Sequence, residues 1–287
     1  MTEEIITALG ARIDEAFFLI GAAILLIELA EAAFKRTLFR RTLPEMLVSA
    51  STQIPSLLVE IFVLTFAYGL YYVLSEAVLR WQIPMTAWTL ALAVLVADII
   101  YYWEHRIAHE VRLLWTQHAV HHSSRDYNVI TGIRFGPLEG VWSMIAHIPM
   151  VLMGFAPEAV FFGIITVLAY QTWIHTELIG RLGWVDRVLN TPSNHRVHHG
   201  SDDKYLDKNY GGILIIWDRW FGTFQAEEET PRYGLKGDFD SRNPIRVWFS
   251  EIPALWRDLK AARTSREVWK ALVEMPGRPS ERMPPAE

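Results

Sequence analysis

The chain has no cysteine among its 287 residues. That excludes disulfides, iron–sulfur clusters, thiolate-ligated haem and a cysteine nucleophile. An excess of one charge is also lacking. The 27 Lys and Arg against 32 Asp and Glu leave a formal −5, which offers no electrostatic footprint for nucleic acid. There is no internal repeat and no glycine-rich phosphate loop. Histidine is missing from the first 104 residues and from the last 88, so all ten lie between His105 and His199. A surface scatter would not confine them to a third of the chain.

What the sequence has in abundance is apolar. With 51% hydrophobic and 21% charged residues and a mean hydropathy of +0.16, it is apolar for a soluble enzyme and too polar for a chain wholly in lipid, which suggests bilayer-spanning helices with a water-facing part. Crossing about 30 Å of hydrocarbon takes roughly 20 helical residues. Residues 55–74, with Glu60 as the only charge, and 83–103, with Asp98 as the only charge, meet that length. Residues 17–34 form a weaker run because Glu28 and Glu31 fall in its second half. Residues 141–174 are apolar but broken at Gly154-Phe155-Ala156-Pro157-Glu158, which reads as a helical hairpin. The acidic start Met1-Thr2-Glu3-Glu4 is unlike a cleaved signal, so the first apolar segment is expected to remain as an anchor.

Basic residues orient these segments. Lys35, Arg36, Arg40 and Arg41 between the first two runs place that loop in the cytoplasm. Run 55–74 then leads out and run 83–103 returns. Residues 104–140, with Arg106, Arg112, Arg125 and Arg134, are then cytoplasmic as well. Both ends of the hairpin share a side, so nine of the ten histidines gather on one face. His147, alone in an apolar leg, reads as a packing contact.

The nine fall into spaced clusters: His105 and His109 as HxxxH, His118, His121 and His122 as HxxHH, and His195, His198 and His199 as HxxHH again, with His175 as a candidate ninth ligand. Residues three and four apart share a helical face, so each cluster converges. Imidazole suits zinc, copper, iron and nickel. Eight or nine nitrogens exceed the needs of one ion and fit two, which in a membrane enzyme points to oxygen chemistry. The competing readings are interfacial histidines without metal, a structural zinc site, which normally takes four ligands and favours cysteine, and a divalent-metal transporter. A transporter would need ligands on several spanning helices and a path to both faces. Asp98 lies on the same helical stripe as His105 and His109. As an acid inside a membrane helix it is expected either to accept a hydrogen bond from a ligand imidazole or from a neighbour of one, or to make an interior polar contact between helices. Glu110 is a candidate of the same kind or a surface charge. Arg134 and Arg196 read as positive-inside charges, with a hold on a polar head group as the alternative, and Glu227-Glu228-Glu229 as a solvated run.

These residues resemble the fatty acid hydroxylase / sterol desaturase superfamily, and most closely its alkylglycerol monooxygenase branch. The resemblance is carried by Tyr102-Trp-Glu-His-Arg-Ile-Ala-His-Glu110, Trp115-Thr-Gln-His-Ala-Val-His-His-Ser-Ser124, Gln171-Thr-Trp-Ile-His-Thr-Glu177, the Asn190–Gly200 stretch and the Asn209–Phe224 stretch. It covers about residues 50–225. It implies an integral-membrane non-haem di-iron enzyme in which the eight boxed histidines and His175 hold two iron ions. Some relatives have a histidine where this chain has Gln171, a residue then available to bond a metal-bound water. The resemblance also implies dioxygen as co-substrate, a lipid entering from the bilayer, and a separate electron-donor protein or reduced pterin, since no haem or flavin domain is evident. Lipid hydroxylation or desaturation follows, of an ether lipid, alkylglycerol or fatty acyl chain. A sterol desaturase or C4-methyl oxidase is the alternative within the class.

The expectation is therefore an all-α integral membrane protein with four to five membrane-embedded helical segments and a cytoplasmic histidine-rich helical cap. Residues 1–225 form the membrane-embedded domain, with its motif-bearing core at about 85–225; 226–275 are an amphipathic region and 276–287 a disordered tail. Within 209–224, the apolar run 213–217 is expected as a short strand or turn covering the metal site.

Overall fold

The computed structural model describes residues 3–77, 81–237 and 239–276. Among them there is no β-strand, only an isolated antiparallel bridge between Leu189 and Leu214. The chain opens with α1 (Glu3–Phe34), a π-helical turn (Leu38–Thr42) and α2 (Leu43–Ala77). Helix α3 (Ala87–Glu110) begins at a reciprocal cap: the Thr86 hydroxyl accepts from the Thr89 N–H, and the Thr89 hydroxyl accepts from the Thr86 N–H. Val111 then turns extended and breaks the helix, so that α4 (Arg112–His122) folds back on the end of α3. That break brings the first two histidine boxes face to face.

Among the described residues, three helices are long and apolar enough to cross a membrane: Glu4–Phe34, Leu38–Ala77 and Ala87–Glu110. Their outward faces expose large apolar side chains such as Phe18, Leu58, Phe62, Phe66 and Trp88, a surface suited to lipid and costly in water. The first helix extends well before the apolar run at 17–34, and Glu28 within it is buried. It accepts from the Val129 N–H at 3.0 Å and the Thr176 hydroxyl at 2.6 Å, so the acid that weakened the apolar pattern ties α1 to the segment bearing His175.

The expected hairpin is present as α5 (Glu139–Leu152) and α6 (Pro157–Tyr170). Each leg has 14 residues, or about 21 Å of helix. Neither leg alone reaches the roughly 30 Å that a crossing takes. The hairpin instead fills the interior: α6 packs on α3 and α1, and α5 on α2 and α3. Gly163 allows the closest approach, since a Cβ there would lie 2.9 Å from both the Ala93 carbonyl oxygen and the Ala97 Cβ on α3. Leu90, Ala97, Met150, Phe155 and Val160 form the core at this junction.

The remaining chain adds α7 (Pro192–His198), α8 (Ile216–Phe221), α9 (Pro244–Trp248), α10 (Ile252–Ala261) and α11 (Ser265–Val273). The 213–217 run is a turn entering α8, not a strand. Helices α10 and α11 rest on each other and on α4, burying Leu255 and Ala271 while exposing Trp256 and Trp269. Of the tail expected at 276–287, only residue 276 lies within the described residues.

Candidate metal centre

Nine buried histidines meet where α3, α4 and α7 converge, and they divide into two groups. His105, His109, His118, His122 and His198 form one; His121, His175, His195 and His199 form the other. Within each group the ligand nitrogens lie within 4.8 Å of one another. The groups do not follow the sequence boxes. His118 and His122, four apart on α4, share a face, whereas His121 turns to the second group. On α7, His198 joins the first group while His195 and His199 join the second. His147 belongs to neither: its Nδ1 donates to the Ser143 carbonyl at 2.9 Å and lies 3.4 Å from the Glu104 carboxylate.

The hydrogen-bond partners assign the ring tautomers, and the tautomers test whether the site fits a metal. A backbone carbonyl only accepts, so a ring nitrogen bonded to one carries the proton. The Nδ1 atoms of His105, His198, His175 and His121 donate to the carbonyls of Tyr210, Lys208, Gln171 and Arg134, at 2.9, 3.0, 3.0 and 3.3 Å. His118 Nδ1 donates to the Glu139 carboxylate at 2.6 Å. In the neutral ring each Nε2 is then a bare lone pair. Yet His105 and His118 Nε2 stand 2.9 Å apart, and His121 and His175 Nε2 stand 3.2 Å apart. The Nε2 atoms of His109, His198 and His199 are buried with no partner. Lone pairs converging in a dry interior repel unless a cation lies between them, so this donor set fits a metal in each group.

Backbone shape supplies the carbonyls. Asp207 and Asn209 both adopt φ 58°, the left-handed region that Asp and Asn tolerate better than most residues. The turn they make aims the Lys208 carbonyl at His198 and the Tyr210 carbonyl at His105. The side chain of Asn209 holds the turn by donating to the carbonyls of Asn194 and Gln225. No side-chain type marks such a carbonyl in a sequence. Glu139 had a weak signal: it is an acid at the head of an apolar helix.

The three non-histidine candidates are placed differently. Asp98 is buried, but its carboxylate bonds no imidazole. It accepts from the Ile213 and Leu214 N–H groups at 2.6 and 3.1 Å and from the Trp217 indole at 2.8 Å. It thereby anchors the stretch whose Tyr210 carbonyl holds His105. Glu110 pairs with Arg106 at 2.8 Å on the helix surface. Gln171 accepts from the Tyr101 hydroxyl at 2.8 Å, and its backbone carbonyl, rather than its side chain, meets His175. Arg134 and Arg196 are not solvated charges. Arg134 is fully buried against Glu45, and Arg196 makes a two-pronged pair with Glu227 at 2.7 and 2.8 Å. Glu227 is accordingly buried, unlike its neighbours Glu228 and Glu229. A cavity of about 50 Å³ abuts His105 and His118, walled by Tyr101, Glu104, Leu138 and Trp142.

Burial, reinforced by mutual repulsion, pushes the proton affinities of His121, His122, His195, His198 and His199 well below the ordinary value of 6.5. Burial alone pushes His175 down to about 4. All are neutral at pH 7, the state a metal needs. The unfolded chain binds these protons near pH 6.5 and the folded chain does not. Their contribution to stability is therefore complete above pH 6.5 and falls away below it, that of His175 being lost as pH falls through about 4. Acid titration of the metal-free protein in detergent, followed by circular dichroism, is expected to show helix loss within that window. A chain stable throughout it would contradict the neutral assignment.

Fold and site together define an all-helical protein with three membrane-length helices and a buried double cluster of histidines with metal-ligand geometry. Residues 90–223, which contain all nine of these histidines, match the Fatty acid hydroxylase family. An alkylglycerol monooxygenase of Homo sapiens is 39% identical over 237 residues, covering 82% of this chain and 53% of the relative. One of Danio rerio is 44% identical over 199 residues, covering 68% of this chain and 44% of the relative. An ornithine lipid hydroxylase of Rhizobium tropici is 37% identical over 145 residues, covering 50% of this chain and 43% of the relative. The chain spans about half the length of the curated relatives it matches. No solved structure gives a significant match.

Proposed function

We propose that the chain is a membrane-bound non-haem di-iron oxygenase that uses dioxygen to hydroxylate, or desaturate, a lipid, with an ether lipid such as an alkylglycerol or a fatty acyl chain favoured. The observation that carries this reading is the division of nine buried imidazoles into two groups whose Nε2 lone pairs converge. The names of the relatives, monooxygenase and lipid hydroxylase, support the substrate class.

In this reading the group of five and the group of four each hold one iron ion. Bound there, the pair would supply the oxidising chemistry: dioxygen, two electrons and two protons yield one water and one oxygen atom inserted into a C–H bond. The chain's own residues do the rest. The carbonyls of Tyr210, Lys208, Gln171 and Arg134 fix ring orientation and leave each Nε2 free to ligate. Glu139 does the same for His118. The apolar shell excludes water from the reacting bond. The cavity beside His105 and His118 has room for a small molecule such as dioxygen.

The layout follows from the same reading. The three long helices span the bilayer, and the α5–α6 hairpin runs beside them as two further embedded segments, its tip meeting the α2–α3 connection where the Ile83 N–H donates to the Gly154 carbonyl at 2.8 Å. The basic residues between α1 and α2 put the metal groups on the cytoplasmic side. There they meet a separate electron-donor protein or a reduced pterin. Residues 1–225 form the embedded domain, and 226–275 lie along the membrane surface with Trp256 and Trp269 turned to lipid.

The test is expression in a host without such activity, with and without oxygen, followed by untargeted lipid analysis of wild type and His198→Ala. A hydroxylated, cleaved or desaturated lipid is expected only from wild type in air. The same lipid profile from both proteins sinks the proposal.

A further inference from the structure

One run of aromatic rings links the group of four histidines to the surface. The phenol ring of Tyr127 stands 5.0 Å from the ring of His199 and 6.0 Å from that of His175, centroid to centroid. Tyr127 also lies against Tyr233, with centroids 4.7 Å apart and planes 16° from parallel. Tyr127 is buried, and Tyr233 is half-buried at the surface end. The two hydroxyls have different partners. Tyr127 donates to the Ile174 carbonyl at 3.1 Å; Tyr233 donates to the Glu177 carboxylate at 3.2 Å.

The difference decides where an oxidised ring comes to rest. A phenol gives up an electron readily only when its proton can leave with it. A backbone carbonyl is a poor base, whereas a carboxylate at the water edge accepts the proton and passes it on. Glu177 borders an open groove with Gly180, Arg181, Arg196 and Thr230, so solvent and small solutes reach it. Tyr210 offers a contrast. Its ring is 5.1 Å from His109, but its hydroxyl is buried without a partner, which leaves its proton no exit.

We infer that Tyr127 and Tyr233 form an oxidative escape path for the metal centre, used when dioxygen is reduced with no lipid in place. This rests on reading the nine histidines as a redox-active metal centre. One electron leaves Tyr233, crosses the Tyr127 ring and reduces the over-oxidised centre by one equivalent. The phenolic proton leaves to solvent at the Glu177 end. A small soluble reductant of the thiol or ascorbate class returns one electron and one proton to the phenoxyl ring. The path spares the ligand histidines, which are otherwise the nearest oxidisable groups.

The experiment exposes the iron-loaded full chain in detergent to dioxygen, chemically reduced and without lipid. Oxygen uptake, iron retention and electron paramagnetic resonance are followed together. A tyrosyl radical signal is expected from wild type and from Tyr68→Phe, an exposed ring on α2. Ascorbate should quench it, and Tyr233→Phe and Tyr127→Phe should lose it. Both of these variants should bind iron as wild type does before turnover, then lose it sooner, with oxidised histidine found by peptide mass spectrometry. Oxygen uptake with no tyrosyl signal, or a signal that survives Tyr233→Phe, overturns the path alone. Absence of both oxygen uptake and signal overturns the metal–oxygen reading and the path with it.

Discussion

His195→Ala is expected to leave the purified chain with one tightly held metal ion in place of two, whereas His118→Ala is expected to keep both. The argument is the unequal division of the ligands. His195 belongs to the group of four, with its Nε2 2.8 Å from that of His175. Removing it leaves three imidazoles and a buried gap, one ligand short of the four that closed metal sites take. His118 belongs to the group of five, and its loss still leaves four. In the proposed reading both variants lose turnover, because both ions would act on the same dioxygen. Their metal content after dialysis against a chelator should differ. Elemental analysis of the two proteins checks this, and equal losses from both would sink the five-and-four division. His118 and His121 provide a second comparison. They lie three residues apart on one helix, yet His121→Ala should behave like His195→Ala.

That division was not legible in the sequence, although the histidines themselves were. Spacings of three and four residues announce convergence on a helix, and the topology argument brought the boxes to one end. The split depends on how α7 crosses α4 and on the break at Val111, neither of which spacing encodes. Asp98 shows a partial success of periodicity. It shares a continuous helix with His105 and His109, and all three are buried, but its carboxylate is taken by backbone N–H groups 115 and 116 residues away. Arg134, Arg196 and Glu227 fail for a related reason. A charge reads as solvated unless its partner is known, and these partners lie 89 and 31 residues off. The carbonyls that orient the rings carry no residue-type signal at all. The hairpin was legible from Gly154 and Pro157. The shortness of its legs was not, because the apolar composition runs past the helix ends.

Arg134→Met is expected to be the most destabilising single substitution outside the histidines. The guanidinium is fully buried. Its Nη1 donates to Glu45 at 2.9 Å and Ser49 at 3.2 Å, and its Nε donates to the Val120 carbonyl at 3.1 Å and the Ser123 hydroxyl at 3.0 Å. Removing it strands the buried Glu45 carboxylate and unpins the end of α4. Breaking a buried pair from one side costs about 3–5 kcal/mol. For a chain of this size that lowers the melting temperature in detergent by roughly 10 °C. The pair itself is not strongly stabilising, since Arg134 Nη2 is buried without a partner and both charges have left water. Combining Glu45→Leu with Arg134→Met should therefore be milder than the sum of the two, a coupling that a double-mutant cycle measures. Additive losses would show that the two residues do not act as a pair. The substitution should also reach the metal. The Arg134 carbonyl is the acceptor that orients His121, so loosening this loop should release the ion of the group of four before that of the group of five.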